Sequence, residues 1–241
     1  MTLKSHADAA AGAPRAKRAK RVRDGQTRRK TDAVADPKAR EFLRRADPVL
    51  SRLIDARPDF HPRAWLEELP PLDAFATLIF QVIGQQLSVS ATRTIVLRLE
   101  QRFDDHLPSP QELLAVDPGE LRASGMSNRK AATLRAIAER FVDGRLSDES
   151  LARMTDAEIE AALTEVPGVG PWTAHGFLIV ALDRPDVLLS GDLALRRAVE
   201  RAYRFDHLPT EEEMVQLAER WQPYRTLAVS YLFASAYEKA P

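Results

Sequence analysis

EVPGVGPWTAHGF, residues 165–177, decides the reading of this chain. Pro167 stops whatever helix runs into it. Gly168 and Gly170 free the backbone, and Pro171 suits the first turn of a new helix. The apolar periods on either side are helical, so the stretch joins two helices through a bare Gly-Val-Gly turn. Such a turn reads either as a plain connection or as a place where something approaches the backbone. In the second reading the amides at the start of the new helix point outward, and with the helix dipole they make an anion site that needs no charged side chain. A nucleic-acid phosphate fits it. A P-loop is excluded, because no Gly-Lys-Ser/Thr follows and no strand precedes.

Helical periods extend in both directions. Phe42, Leu43 and Ala46 share one face, and Asp47-Pro48 reads as a cap and first turn leading into Val49, Leu50, Leu53 and Ile54. Phe75, Leu78, Ile79, Val82 and Ile83 follow the i, i+3, i+4, i+7, i+8 pattern. Another helix is expected over about Ser90–Phe103. Capping boxes stand at Ser109–Glu112, Thr155–Glu158 and Thr210–Glu213, Asp117-Pro118 opens a further helix, and Ser127 caps one carrying Ala131, Leu134, Ala138, Phe141 and Val142. Val187–Leu189 is the only strand-like run and is too short for a sheet. The fold class is all-α, with about ten helices and short links.

Composition narrows the chemistry. Among 241 residues there is no cysteine, which removes disulfides, thiolate zinc and iron–sulfur clusters together. The histidines, His6, His61, His106, His175 and His207, have no metal-ligand spacing. The net charge is zero, but residues 1–40 hold twelve Lys or Arg against four acids, giving +8 there and −8 on the rest. Residues 1–35 are poor in large apolar side chains and read as a disordered basic arm, ahead of a helical domain over 36–241. The arm is either a solvated tail or a grip on a polyanion. The N-terminus lacks an apolar signal core, and no run approaches the ~20 apolar residues of a spanning helix. The expectation is a soluble protein, cytoplasmic or nuclear, not secreted and not membrane-bound.

One carboxylate stands out downstream. In LLSGDLALRR (188–197), Asp192 precedes an amphipathic helix some twenty residues past the glycines. The most frequent job of Asp at such a spot is an N-cap, and one helix length from the hairpin it is also well placed for chemistry on a sugar.

Four stretches together, LIFQVIGQQLSVSAT (78–92), GMSNRKAATLRAIA (125–138), VPGVGPWTAHGF (166–177) with LLSGDLALRR (188–197), and AERWQPYRTLAVSYL (218–232), resemble the helix–hairpin–helix DNA glycosylase superfamily. Within it they are similar to the 3-methyladenine DNA glycosylase II type. The resemblance implies two helical subdomains with a cleft between them, double-stranded DNA with damaged bases as partner, and action as a monomer. It implies Asp192 as the catalytic aspartate. Gly168, Gly170 and Thr173 would hold a phosphate through their amides. Gln86 or Leu87 would wedge into the gap left by a flipped base, and Trp172 and Tyr224 would form the base pocket. No cofactor is required, although carbonyls of Thr164, Val166 and Val169 would suit a Na+ or K+ ion at the hairpin.

Trp172 also sets the subclass. Members that cut the backbone carry a Lys at that place, and tryptophan forms no Schiff base. The resemblance thus implies a monofunctional enzyme, with water as nucleophile, excising alkylated purines of the 3-methyladenine or 7-methylguanine type. There are departures. The extra α/β domain of larger members has no counterpart here, and Gly176 replaces a pocket aromatic of some members, which implies a roomier pocket. Arg129-Lys130 reads as a phosphate contact or a solvated pair, Trp221 as core with Met214 and Leu217, and Arg196 and Arg197 as lying near DNA or in a surface ion pair. His175 receives no role.

Overall fold

The computed structural model describes residues 36–62 and 72–237, so the basic arm lies outside the described residues. Thirteen α-helices and one 3-10 turn fill the described residues, with no strand among them. They are α1 (Pro37–Ala46), α2 (Pro48–Asp55), α3 (Ala74–Gly84), α4 (Val89–Glu100), α5 (Pro110–Ala115), α6 (Pro118–Ala123), α7 (Asn128–Val142), α8 (Asp148–Arg153), α9 (Asp156–Thr164), α10 (Pro171–Val180), α11 (Leu193–Tyr203), α12 (Glu211–Ala218), the 3-10 turn Glu219–Trp221 and α13 (Arg225–Tyr237). None is long and apolar enough to cross a membrane.

The capping chemistry appears where the sequence places it. Ser109, Thr155 and Thr210 each make a reciprocal box with the glutamate three residues on. The helix count exceeds the expected ten partly because of α8, capped by Ser147. It has six residues, too few for an apolar period to show. α4 stops at Glu100 rather than Phe103, because the chain turns there through Asp104 and Asp105 in left-handed conformations. Val187–Leu189 is buried but forms no strand.

Two cores organise the helices. The first draws on α3 to α10 and includes Phe75, Leu78, Val82, Leu134, Ile137, Leu163 and Phe177. The second joins the two ends of the described chain: Leu43, Leu50 and Ile54 from α1 and α2 pack with Leu195, Val199, Met214, Trp221 and Leu232. Ile179 of α10 packs against both. Asp47 fastens the second core. It is fully buried, one oxygen caps α2 through the amides of Val49 and Leu50, and the other accepts from Tyr203 Oη at 2.7 Å and Trp221 Nε1 at 3.0 Å. Four donors satisfy a carboxylate that would otherwise be costly to bury.

Two expected stripe residues point outward. Val142 is exposed at the end of α7, and Phe42 stands half-exposed on α1 with its ring edge-on to Tyr224 at 5.4 Å.

Candidate active site and nucleic-acid interface

The hairpin is built by its neighbours. Val166 and Val169 turn into the first core, and Val169 N donates to Val166 O at 3.0 Å to close the turn. Gly168 has φ +93°, and Thr133 of α7 donates to Pro167 O at 2.9 Å directly beside it. A Cβ at Gly168 would collide with the Thr133 hydroxyl, so both φ and space require glycine there. Gly170 differs: its φ is −108° and a Cβ would meet nothing within 4 Å. Its bareness is directed at the outside.

α10 then starts with Pro171 and carries no side-chain cap. The amides of Gly168, Gly170 and Trp172 donate to no acceptor among the described residues. Thr173 is placed otherwise. Its amide donates to Gly170 O at 3.0 Å, its side chain is buried, and its hydroxyl accepts from Gln85 Nε2 at 2.9 Å. The free donors of the turn are therefore Gly168, Gly170 and Trp172.

Gln85 connects the hairpin to the turn after α3. Its amide also donates to Gly168 O at 3.0 Å. Lys130 secures the same turn from α7, donating to Ile83 O and Gln85 O at 2.8 Å each. A cation on the last carbonyls of α3 complements the helix dipole. Burial lowers the Lys130 pKa. Lys130 is thus an anchor of this turn rather than a solvated lysine. Held this way, the turn presents Gln86, in a left-handed conformation with φ 58°, and Leu87, 40% exposed, before Ser88 caps α4.

Asp192 is the N-cap of α11, and its second oxygen is turned to the hairpin helix. Oδ1 accepts from Leu195 N at 2.8 Å and caps α11, while Oδ2 accepts from Trp172 Nε1 at 2.8 Å. The cap fixes the carboxylate, and the indole hydrogen bond holds it beside the first turn of α10. α10 belongs to the first core and α11 to the second, so this bond spans the two. Trp172 remains 40% exposed.

Other expected positions fall as follows. Tyr224 sits half-buried just before α13 against Phe42, and no hydrogen bond or ring contact joins it to Trp172 or Asp192. Gly176 leaves no simple void, because the carboxamide of Gln81 from α3 occupies the space beside it. Of the carbonyls considered for a cation, Val166 O already accepts from Val169 N, whereas those of Thr164 and Val169 accept no loop hydrogen bond. No cluster of His, Asp and Glu side chains among the described residues could hold a metal. Trp221 is core, as expected, with Met214 and Leu217. Among the described residues Arg196 makes no ion pair: its Nε donates to Pro209 O at 2.6 Å. His175 pairs with Glu160 at 3.1 Å. Sequence reasoning gave no role to Gln85, missed the anchoring role of Lys130, and placed Phe42 on the apolar stripe of α1. The first two act through backbone carbonyls, which leave no trace in a motif.

Comparison with known proteins agrees with this arrangement. Residues 79–223 match the family described as HhH-GPD superfamily base excision DNA repair protein. The chain is similar to DNA-3-methyladenine glycosylase 1 of Schizosaccharomyces pombe, 30% identical over 83% of this chain and 87% of that protein. It is 29% identical to DNA-3-methyladenine glycosylase 2 of Escherichia coli, over 77% of this chain and 64% of that one. Among solved structures, the S. pombe 3-methyladenine DNA glycosylase in complex with abasic DNA superposes with a TM-score of 0.72 at 28% identity, over 84% of this chain and all of that one. The 3-methyladenine DNA-glycosylase from Archaeoglobus fulgidus gives 0.68 at 26% identity, over 80% and 67%. The family match spans more than half of the chain, which therefore belongs to the HhH-GPD superfamily of base excision DNA repair proteins.

Proposed function

We propose that the chain is a monofunctional DNA glycosylase that extrudes alkylated purines from duplex DNA and hydrolyses their N-glycosidic bond, the first step of base excision repair. One observation carries the reading: Asp192 is fixed by its own helix and by Trp172, beside a turn whose amides are free to take a phosphate. Phosphate on Gly168, Gly170 and Trp172 sets the register on DNA without reading sequence. Carbonyls of Thr164, Val166 and Val169 would suit a Na+ or K+ ion bridging to that phosphate.

A base in the stack is out of reach, and flipping it costs a few kcal/mol, less when it is damaged. Gln86 or Leu87 fills the gap and offsets part of that cost. Trp172 and Tyr224 offer aromatic faces, worth roughly 0.5–2 kcal/mol to a cationic alkylpurine. As the bond from sugar C1′ to the base nitrogen breaks, its electron pair leaves with the base and positive charge grows on the sugar. An alkylated purine departs neutral, so no strong general acid is needed. The Asp192 carboxylate stabilises the sugar cation, by about 4 kcal/mol at 4 Å and an effective dielectric near 20. Water then adds at C1′, passing a proton to Asp192 or solvent. The chain has Trp172 where a Schiff-base lysine would stand, so water is the nucleophile.

The test is incubation with duplex DNA treated with a methylating agent, followed by chromatography of the free bases. Release of 3-methyladenine and 7-methylguanine, with no borohydride-trapped adduct, is the expected result. Tight binding without any free base would contradict it and favour a non-catalytic binding module.

A further inference from the structure

Gln81 stands apart from its helix. Every other described position of α3 from Ala74 to Ile83 is an apolar residue or a threonine, most of them buried in the first core. Gln81 is only 8% exposed, and its side chain has no hydrogen-bond partner among the described residues. Neither of its amide atoms is among the sealed polar atoms that lack partners, so the group still reaches open space. A Cβ on Gly176 would stand 2.6 Å from Gln81 Oε1 and 3.0 Å from Nε2. Gly176 lies four residues beyond Trp172 on α10, so the two share a helix face. The carboxamide therefore sits one helical turn from the indole that binds Asp192.

A buried carboxamide without a partner is destabilising unless something pairs with it. It offers one acceptor and two donors, a set that matches the polar edge of a purine. We propose that Gln81, seated in the space left bare by Gly176, hydrogen-bonds the edge of the extruded base and sets which damaged purines are accepted. This rests on the glycosylase reading above. Gln81 is a specificity residue, and its loss alters the ranking of substrates rather than the chemistry common to them.

The experiment measures single-turnover release of 3-methyladenine, 7-methylguanine and hypoxanthine from otherwise identical duplexes. It uses the full chain and its Gln81→Leu and Gly176→Ala variants, with affinity for an abasic duplex recorded in parallel. Gln81→Leu removes the donors and acceptor at similar size. Gly176→Ala leaves Gln81 in the sequence but displaces its amide, and alanine favours the helix, so this variant carries the test if the first does not fold. Both are expected to shift at least one ratio between substrates by about tenfold, in the same direction, with abasic-DNA affinity unchanged. The double variant should shift it no further than Gln81→Leu alone. Rates that are unchanged, or that fall by one common factor for all three bases, would overturn the role of Gln81 and leave the glycosylase reading intact. A wild-type protein that releases none of the bases would overturn both.

Discussion

Two helix starts twenty-two residues apart treat their amides in opposite ways. α11 begins under Asp192, whose carboxylate takes the Leu195 amide. α10 begins under Gly170 with no side-chain cap. Of the twelve α-helices whose N-cap is described, α10 alone lacks one. A serine, threonine or aspartate cap contributes roughly 0.5–2 kcal/mol over alanine. Among the helices whose start is described, only this one is left bare, so its amides remain open to an acceptor from outside the chain. The capped start has the complementary task, since its carboxylate is held still and turned toward the indole of the bare one. Under the proposed function, one end attracts negative charge and the other presents it.

The largest expected effect comes from neutralising the presented charge. Asp192→Asn retains a good N-cap, so thermal stability should change by only a few tenths of a kcal/mol. Loss of about 4 kcal/mol of charge stabilisation should slow base release on the order of a thousandfold in single-turnover assays. A variant that melts normally and excises at the normal rate would remove Asp192 from the chemistry. Gly170→Asp would erase the difference between the two starts. It should stabilise the fold by about 0.5 kcal/mol and weaken binding to abasic duplex by about tenfold or more, because the new carboxylate takes the amides and repels phosphate. Gly170→Ala, with open space around it, is the control.

Lys130→Met probes how the exposed turn is held against the hairpin. Removing two charge-assisted bonds from a partly buried site should cost about 1–2 kcal/mol in urea unfolding and slow base release more than it weakens binding to abasic DNA, which needs no flipping. The smallest effect is expected far from the site. Ser109 donates to Glu112 from its hydroxyl and amide and holds the carboxyl down at about 2. A depressed carboxylate stabilises the fold above its ordinary value near 4.5, and this is lost as pH falls toward 2. Glu112→Gln should flatten the melting temperature across that window.

What the sequence disclosed was local. The hairpin, the capping boxes, Asp47 and Asp192 announce themselves because glycine, proline and capping side chains act within three or four residues of themselves. The all-helical class followed from periodicity. Lys130 acts on carbonyls more than forty residues away, and any residue offers a carbonyl, so its anchoring role was invisible. Gly176 was visible as a missing aromatic, but only packing reveals that Gln81 takes the space. The stripe around Phe42 mispredicted a buried ring because Tyr224, distant in sequence, meets it at the surface. Closure of the second core by both ends of the described chain is likewise a long-range matter. Thr173 illustrates the same limit: its place in the hairpin was legible, and its commitment to Gly170 and Gln85 was not.

The most direct test of the opposed helix starts is a crystal structure of the protein on a duplex carrying an abasic-site analogue. A phosphate within about 3 Å of the Gly168, Gly170 and Trp172 amides, with the Asp192 carboxylate about 4 Å or less from C1′ of the extruded sugar, is the predicted result. A phosphate bound elsewhere, with Asp192 still turned only to its own helix and away from the sugar, would contradict it.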